Sequence, residues 1–264
     1  MSDVQNSPGS SMTPQRRYGI AISVALILGG VYWALTGLTE GTTSGRNSYP
    51  VDGTSLRVQS GAATIELRPG DGTEVTVDRE SKRNLFGSDP KESYDAGDAT
   101  LELNHGGCGF LSFGCETKYV VTVPRNLALT VENSSGTVTV SGFDSGANIK
   151  TSSGDIEAHD LGGRVELRTS SGDVDAEDLS ATSVTTQTSS GRTSLDFTTA
   201  PQSVESKSSS GDVEILIPSG EESYKVDTDT SSGDESANVR SDPAATRTIT
   251  AKTSSGDVSI EYQR

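Results

Sequence analysis

From residue 129 onward, apolar and polar positions alternate with a period of two around a recurring Ser-Ser-Gly, which is usually followed by Asp. With the glycine of each phrase as zero, the phrases fall at Gly136, Gly154, Gly172, Gly191, Gly211, Gly233 and Gly256, spaced 18, 18, 19, 20, 22 and 23 residues apart. Seven residues before the glycines stand Leu129, Ala147, Val165, Val184, Val204, Val226 and Ile249. Two residues after them stand Val138, Ile156, Val174, Thr193, Val213, Glu235 and Val258, and four after, Val140, Ala158, Ala176, Leu195, Ile215, Ala237 and Ile260. Alternation on both sides predicts a strand, a corner and a strand with one buried face. Self-similarity near 20 residues is the signature of a solenoid.

The inward parity of the approaching strand passes through Asn133, Thr151, Thr169, Thr188, Ser208, Thr230 and Thr253, and is expected to end on the serine just before each glycine. Small hydroxyl residues there fit a narrow interior in which stacked copies hydrogen-bond to one another. Glycine and aspartate then face outward: the glycine allows positive φ, and the aspartate is expected to accept from local backbone N–H groups. SSGD therefore reads as a corner. A further copy surrounds Gly61, with Leu56, Val58, Ser60, Ala63, Ile65 and Leu67 on the same parity. Strand-like runs follow at 74–77, 99–103 and 118–123, interrupted by excursions at about 80–97 and 105–117. One domain over 50–264 is expected, preceded by a flexible linker at 39–49.

Two all-β architectures fit this pattern. In a parallel β-helix, or β-solenoid, each repeat is one coil about 4.8 Å from the next, and like residues form ladders. In the other, Gly-Asp is a two-residue hairpin turn, giving antiparallel strands in a sandwich or propeller. The solenoid is favoured because copy resembles copy at every inward position, as stacking demands. Each corner is then expected to lie directly above its predecessor in the chain.

Composition sharpens this. Apolar residues are only 31% of 264, aromatics 5%, and glycines number 29, which suits a thin core of short strands. Residues 40–264 hold 36 of the 37 acidic and 19 of the 21 basic residues, a balance of −17. Such a surface repels phosphate backbones, so nucleic acid is not an expected partner.

Residues 18–38 carry no formal charge and, at about 1.5 Å per residue, would span about 31 Å, close to a bilayer's apolar thickness. Arg16 and Arg17 precede this stretch, so a transmembrane helix would leave 1–17 as a cytoplasmic tail and place the rest outside. A cleaved signal peptide fits less well, because the apolar run is long and no small-residue cleavage site follows. Outside the cytoplasm, Cys108 and Cys115 in "HGGCGFLSFGC" are expected to form a disulfide, worth about 2–3 kcal/mol at most. A metal site is the rival reading, with only His105 nearby.

The runs "VTVPRNLALTVENSSGTVTVSGF", "TSSGDIEA", "TSSGDVDAEDL" and "TITAKTSSGDVSIEYQR" resemble the bacterial putative-adhesin β-strand-repeat family, related to the heads of autotransporter-type adhesins. The resemblance covers about residues 50–264. It implies a β-solenoid outside a membrane and no particular substrate. The long excursions and the cysteine loop look like decorations of this member.

Several side chains are candidates for chemistry. Asp155, Asp173, Asp212, Asp234 and Asp257 follow the corner glycines, with Thr137 and Arg192 breaking the row. They are turn residues or, alternatively, a calcium ladder that would relieve carboxylate repulsion. Leu85, Phe86, Phe110, Leu111 and Phe113 in the excursions either cap the open end of the solenoid or form a contact patch for a protein or glycan. His105 and His159 are the two histidines, far apart, and no nucleophile elbow, phosphate loop or zinc helix appears. The acids Asp175, Glu177 and Asp178 could serve a carbohydrate-active β-helix enzyme, but acids are expected on this outward parity. Asn133 begins a glycosylation sequon yet has inward parity. The expected protein is a non-enzymatic surface module, without cofactor, for adhesion or envelope scaffolding. An accessory or sensor role in envelope signalling is the alternative.

Overall fold

The computed structural model describes residues 25–30, 41–83, 88–104, 106 and 116–263. The chain divides into two compact units, Met1–Gly41 and Thr42–Arg264. In the first, residues 25–30 are helical, and Leu26, Ile27 and Leu28 are 62–71% exposed. No helix among the described residues is long and apolar enough to cross a membrane. The remainder of the expected 18–38 span lies outside them.

The second unit is two facing sheets. The strands that lead into each corner form an approach sheet. From one edge it runs β18 (Tyr224–Thr230), β20 (Arg247–Thr253), β16 (Ser203–Lys207), β14 (Ser183–Gln187) and β12 (Arg164–Arg168). It continues with β10 (Ala147–Ser153), β8 (Ala128–Ser135), β2 (Ser55–Ala62), β6 (Thr100–Asn104) and β5 (Lys91–Asp95). The strands that leave each corner form a departure sheet. It begins with β1 (Gly41–Pro50), β4 (Glu74–Arg83), β7 (Glu116–Pro124), β3 (Thr64–Gly70) and β9 (Val138–Phe143). Then come β11 (Ile156–Leu161), β13 (Val174–Leu179), β15 (Thr193–Phe197), β17 (Val213–Ile217), β21 (Val258–Tyr262) and β19 (Glu235–Ala237).

Strands on either side of an SSG phrase lie in different sheets, which excludes the hairpin alternative. Pairing is parallel and in repeat register: Leu129 meets Ala147, which meets Val165, then Val184 and Val204. Across the corner, Val138 meets Ile156, then Val174, Thr193 and Val213. The inward rows of both sheets make one continuous core, its largest side chains including Phe143, Phe197, Tyr119 and Tyr224.

Coil order departs from the expected simple pile. β20 lies between β16 and β18, and β21 between β17 and β19, so the last repeat is inserted beneath the one before it. The reason is legible in the side chains. The β18–β19 coil carries Glu235 where its neighbours carry Val258 and Val213, and burying a lone carboxylate is costly. At the end of the stack Glu235 is exposed, while Ile249, Val258 and Ile260 take the interior place. The opposite end shows the same exchange, with β6–β7 stacked outside β2–β3. Beyond them β4 and β5 run antiparallel to β7 and β6 and close the stack.

This closure is polar. Arg79 Nη1 donates to Glu92 Oε1 at 2.8 Å and to the Pro90 carbonyl at 3.0 Å, with the Glu92 side chain only 3% exposed. Asn47 also donates to Glu92, and the Tyr49 and Tyr94 rings lie 5.5 Å apart. Residues 41–50, most of the segment expected to be a linker, therefore form an ordered edge strand over this end.

The corner glycines answer to contact between coils more than to φ. Five of the seven have positive φ, but at all seven a methyl group would come within 2.0–2.6 Å of a neighbouring coil's carbonyl oxygen. For Gly172 that oxygen belongs to Gly154, and for Gly211 to Gly191. Gly211→Ala is accordingly expected to destabilise by about 3 kcal/mol or more through backbone displacement. Ser209→Ala, two residues away and exposed, should change stability by less than about 0.5 kcal/mol. Denaturant melts of both variants check this pair.

Candidate binding surface

At the corner, many polar groups are bonded between stacked coils. The serine before each glycine was expected inside, but Ser153, Ser171, Ser190, Ser210, Ser232 and Ser255 are exposed. The inward row stops two residues earlier, because the chain is already rounding the edge at the serine. Ser171, Ser190, Ser210 and Ser255 bridge in succession along that edge. Three of the inward hydroxyls bond corner carbonyls of the adjacent coil, whereas those of Thr151, Thr188 and Ser208 are buried without a hydrogen-bond partner. Thr169 Oγ1 donates to Gly154 O, Thr253 Oγ1 to Gly211 O and Thr230 Oγ1 to Gly256 O, at 3.0–3.1 Å. Thr186 and Ser206 are a same-row pair at 2.8 Å. Asn133 is buried and donates to Ala63 O and Gly136 O, which leaves the sequon no exposed amide.

The aspartates also reach between coils, not to the local backbone. Asp173 N–H donates to Asp155 Oδ1 at 2.9 Å, Arg192 N–H to Asp173 Oδ1 at 2.8 Å, and Asp257 N–H to Asp212 Oδ1 at 3.0 Å. Asp234 N–H donates to Asp257 Oδ1 at 2.8 Å, following the inserted coil order. Arg192 Nη2 lies 3.9 Å from Asp212 Oδ2. A hydrogen bond to a carboxylate contributes about 1.5–3 kcal/mol, more than the roughly 0.8 kcal/mol of repulsion between exposed charges about 5 Å apart. The row is thus stable on its own terms. Among the described residues no three acid, histidine or cysteine side chains converge as a metal-binding group.

The outer faces of the two sheets differ sharply in charge. Strands β11, β13, β15, β17 and β21 carry eight Asp or Glu and no Lys or Arg. Their partners β10, β12, β14, β16 and β20 carry six Lys or Arg and two Glu. Four of these cations form one row, four residues before the glycines: Lys150, Arg168, Gln187, Lys207 and Lys252 are register partners in turn. On one side run Asn148, Glu166, Thr185, Glu205 and Thr250. On the corner side run the exposed serines Ser152, Ser170, Ser189, Ser209 and Ser254. Arg168 pairs with Glu166, Lys207 with Glu205, and Lys252 with Asp227 at 2.8 Å. The hydrogen bond that the Lys252 ammonium donates to Asp227 holds its pKa above the ordinary range, so it stays charged.

At the Lys150 end, a shallow groove of about 330 Å³ is lined by Gln59, Ser60, Glu132, Asn133, Ser134, Lys150 and Ser152. A larger hollow of about 680 Å³ lies on β1, β4 and β7, beside Arg46, Asp78 and Lys118. His159 Nδ1 sits 3.5 Å from Glu177, and Asp175 is in the neighbouring row; Asp178 has φ 55° at a register shift in β13.

The other sequence candidates fall elsewhere. Leu85, Phe86, His105, Cys108, Phe110, Leu111, Phe113 and Cys115 lie outside the described residues. The roots of their two excursions are neighbours: Lys82 faces Glu116, Lys91 faces Asn104, and a methyl on Gly106 would meet Ser88 O at 2.3 Å. The described roots of both excursions therefore lie together at one corner edge of the stack. The cation row was missed in the sequence, although its signal is present as Lys150, Arg168, Lys207 and Lys252 at a fixed offset from the glycines.

If the aspartate row is held by amides, Asp173→Ala should lower the melting midpoint by about 2–4 °C, near 1 kcal/mol, and Asp173→Asn by less. Chelator should leave the midpoint of the parent unchanged; a drop would reinstate calcium.

Crystal structures similar to this chain include a putative adhesin from Bacteroides fragilis, 13% identical, covering 84% of this chain and 97% of that one with a TM-score of 0.45. A putative cell adhesion protein from Clostridium sporogenes is 12% identical, covering 84% and 100%, with a TM-score of 0.36. A putative adhesin from Parabacteroides distasonis is 12% identical, covering 84% and 97%, with a TM-score of 0.41. No curated protein matches. The Toastrack DUF4097 family matches residues 54–264, the stretch that holds every coil described above, and the chain belongs to that family.

Proposed function

We propose that this chain is a single-pass membrane protein whose β-repeat unit stands outside the cytoplasm as a non-catalytic module for adhesion or envelope scaffolding. The observation that carries the reading is where the polar groups go. The carboxylates of Asp155, Asp173, Asp212 and Asp257 are engaged with the backbone of neighbouring coils, while two long ladder faces of opposite charge are left exposed. Groups tied up in stacking are poorly placed for proton transfer, whereas flat, periodic faces suit binding along a length. The uncharged stretch 18–38 behind Arg16 and Arg17 supports the anchor, as do the exposed side chains of Leu26, Ile27 and Leu28. A Cys108–Cys115 bridge belongs to the same extracytoplasmic setting.

Protease added to intact cells should remove the repeat unit and spare the tail 1–17. The purified full chain in detergent should co-sediment with envelope material from cells that express it, without generating new reducing ends. Absence of co-sedimentation would overturn the module, and release of reducing ends would favour a carbohydrate-active enzyme instead.

A further inference from the structure

We propose that the cation row on the approach sheet is a binding lane for a linear anionic polysaccharide lying along the stack. The inference deepens the module reading above and rests on it. Its starting point is the inserted coil. In chain order the row would read Lys150, Arg168, Gln187, Lys207, Asp229, Lys252, with an acid between the last two lysines. In the folded stack Lys252 is the register partner of Lys207, and Asp229 lies beyond it at the edge. Insertion thus produces an uninterrupted lane of four cations and one glutamine over five strands, about 19 Å at the usual strand spacing.

Such a row needs a reason. Like charges directly opposite one another in a sheet are destabilising, and Gln187 shows that a neutral side chain is accommodated at the same position. The pairs with Glu166, Glu205 and Asp227 are exposed, and exposed pairs contribute little, so an incoming anion exchanges for them readily. For Lys150 no ion-pair partner is found among the described residues. All four cations have the serine row, Ser152 to Ser254, on the corner side, and on the other side Asn148, Glu166, Thr185, Glu205 and Thr250 mix amide and hydroxyl groups with two carboxylates.

This chemistry selects the ligand. The lane offers four positive charges within about 19 Å with serine hydroxyls beside them, which suits a chain bearing one carboxylate or sulfate per short repeat and many hydroxyls of its own. The lane strands β10, β12, β14, β16 and β20 contain no aromatic residue. They therefore lack the stacking platform that single-stranded nucleic acid uses. The −17 balance of residues 40–264 also disfavours the dense charge of a duplex. Neutral glycans would forgo the cations. At the Lys150 end the lane stops at Glu132, the register partner of Lys150 on β8, which lines the groove there.

The test is titration of the full chain in detergent with polygalacturonate, with dextran and poly-glutamate as comparison polymers. Polygalacturonate should bind, weaken steeply with added salt, and lose at least tenfold in affinity in the quadruple variant K150Q/R168Q/K207Q/K252Q, with melting unchanged. Lys118→Gln, on the departure sheet, should bind like the parent. Undiminished binding by the quadruple variant, equal binding of dextran, or equal binding of poly-glutamate would each overturn the lane. A chain that co-sediments with envelope material yet ignores polygalacturonate refutes the lane alone; failure to co-sediment refutes the module reading beneath it.

Discussion

The tightest constraint in this molecule is backbone against backbone at the corner. Each corner glycine brings its Cα so close to a neighbouring coil's carbonyl oxygen that an added methyl would sit 2.0–2.6 Å away. This contact fixes where each coil turns, and turning fixes everything beyond it. Because every coil must bend at the same height, the residues before and after the bend fall into rows. Inward rows fill a narrow core with valine, leucine and isoleucine, and the outward rows become ladders. Aspartates such as Asp155 and Asp212 then find the next coil's amide in reach, and Thr169, Thr230 and Thr253 find a corner carbonyl.

The same constraint separates what is legible in the sequence from what is not. Parity around the glycines gives the strands, the two buried faces and the parallel stacking, because a period of two and a repeat near 20 are properties of the chain itself. Parity overshoots at the serine, since the bend begins before the glycine and turns Ser171 and Ser190 outward. The direction of the aspartate bonds is hidden for a different reason: a local turn and an inter-coil bridge use the same residue. Glu235 does mark the coil that belongs at an end, but the choice of Lys252's neighbours is settled only when the last coil enters the interior.

The ends of the stack obey ordinary solvation. A solenoid leaves open core and unpaired strand edges, and both ends here are made from the least apolar coils. One end carries Glu235 and Asp229. The other replaces valines 75 and 77 by Arg79 and Ser81 farther along β4, pairs Arg79 with Glu92, and lays β1 across the top. Sheet charge is divided just as cleanly, with acids on the departure face and the cation row on the approach face.

The stacked corner with its inserted last coil is most directly tested by paired cysteines at exposed corner serines. Ser210 and Ser255 are bridge partners on adjacent coils, near enough for a disulfide at the usual strand spacing of about 4.8 Å. Ser210 and Ser232 are two coils apart, at about 10 Å. The account predicts that S210C/S255C cross-links under mild oxidation and that S210C/S232C does not. Cross-linking of the second pair and not the first would mean that the coils pile up in chain order, contradicting the inserted coil and the uninterrupted cation row built upon it.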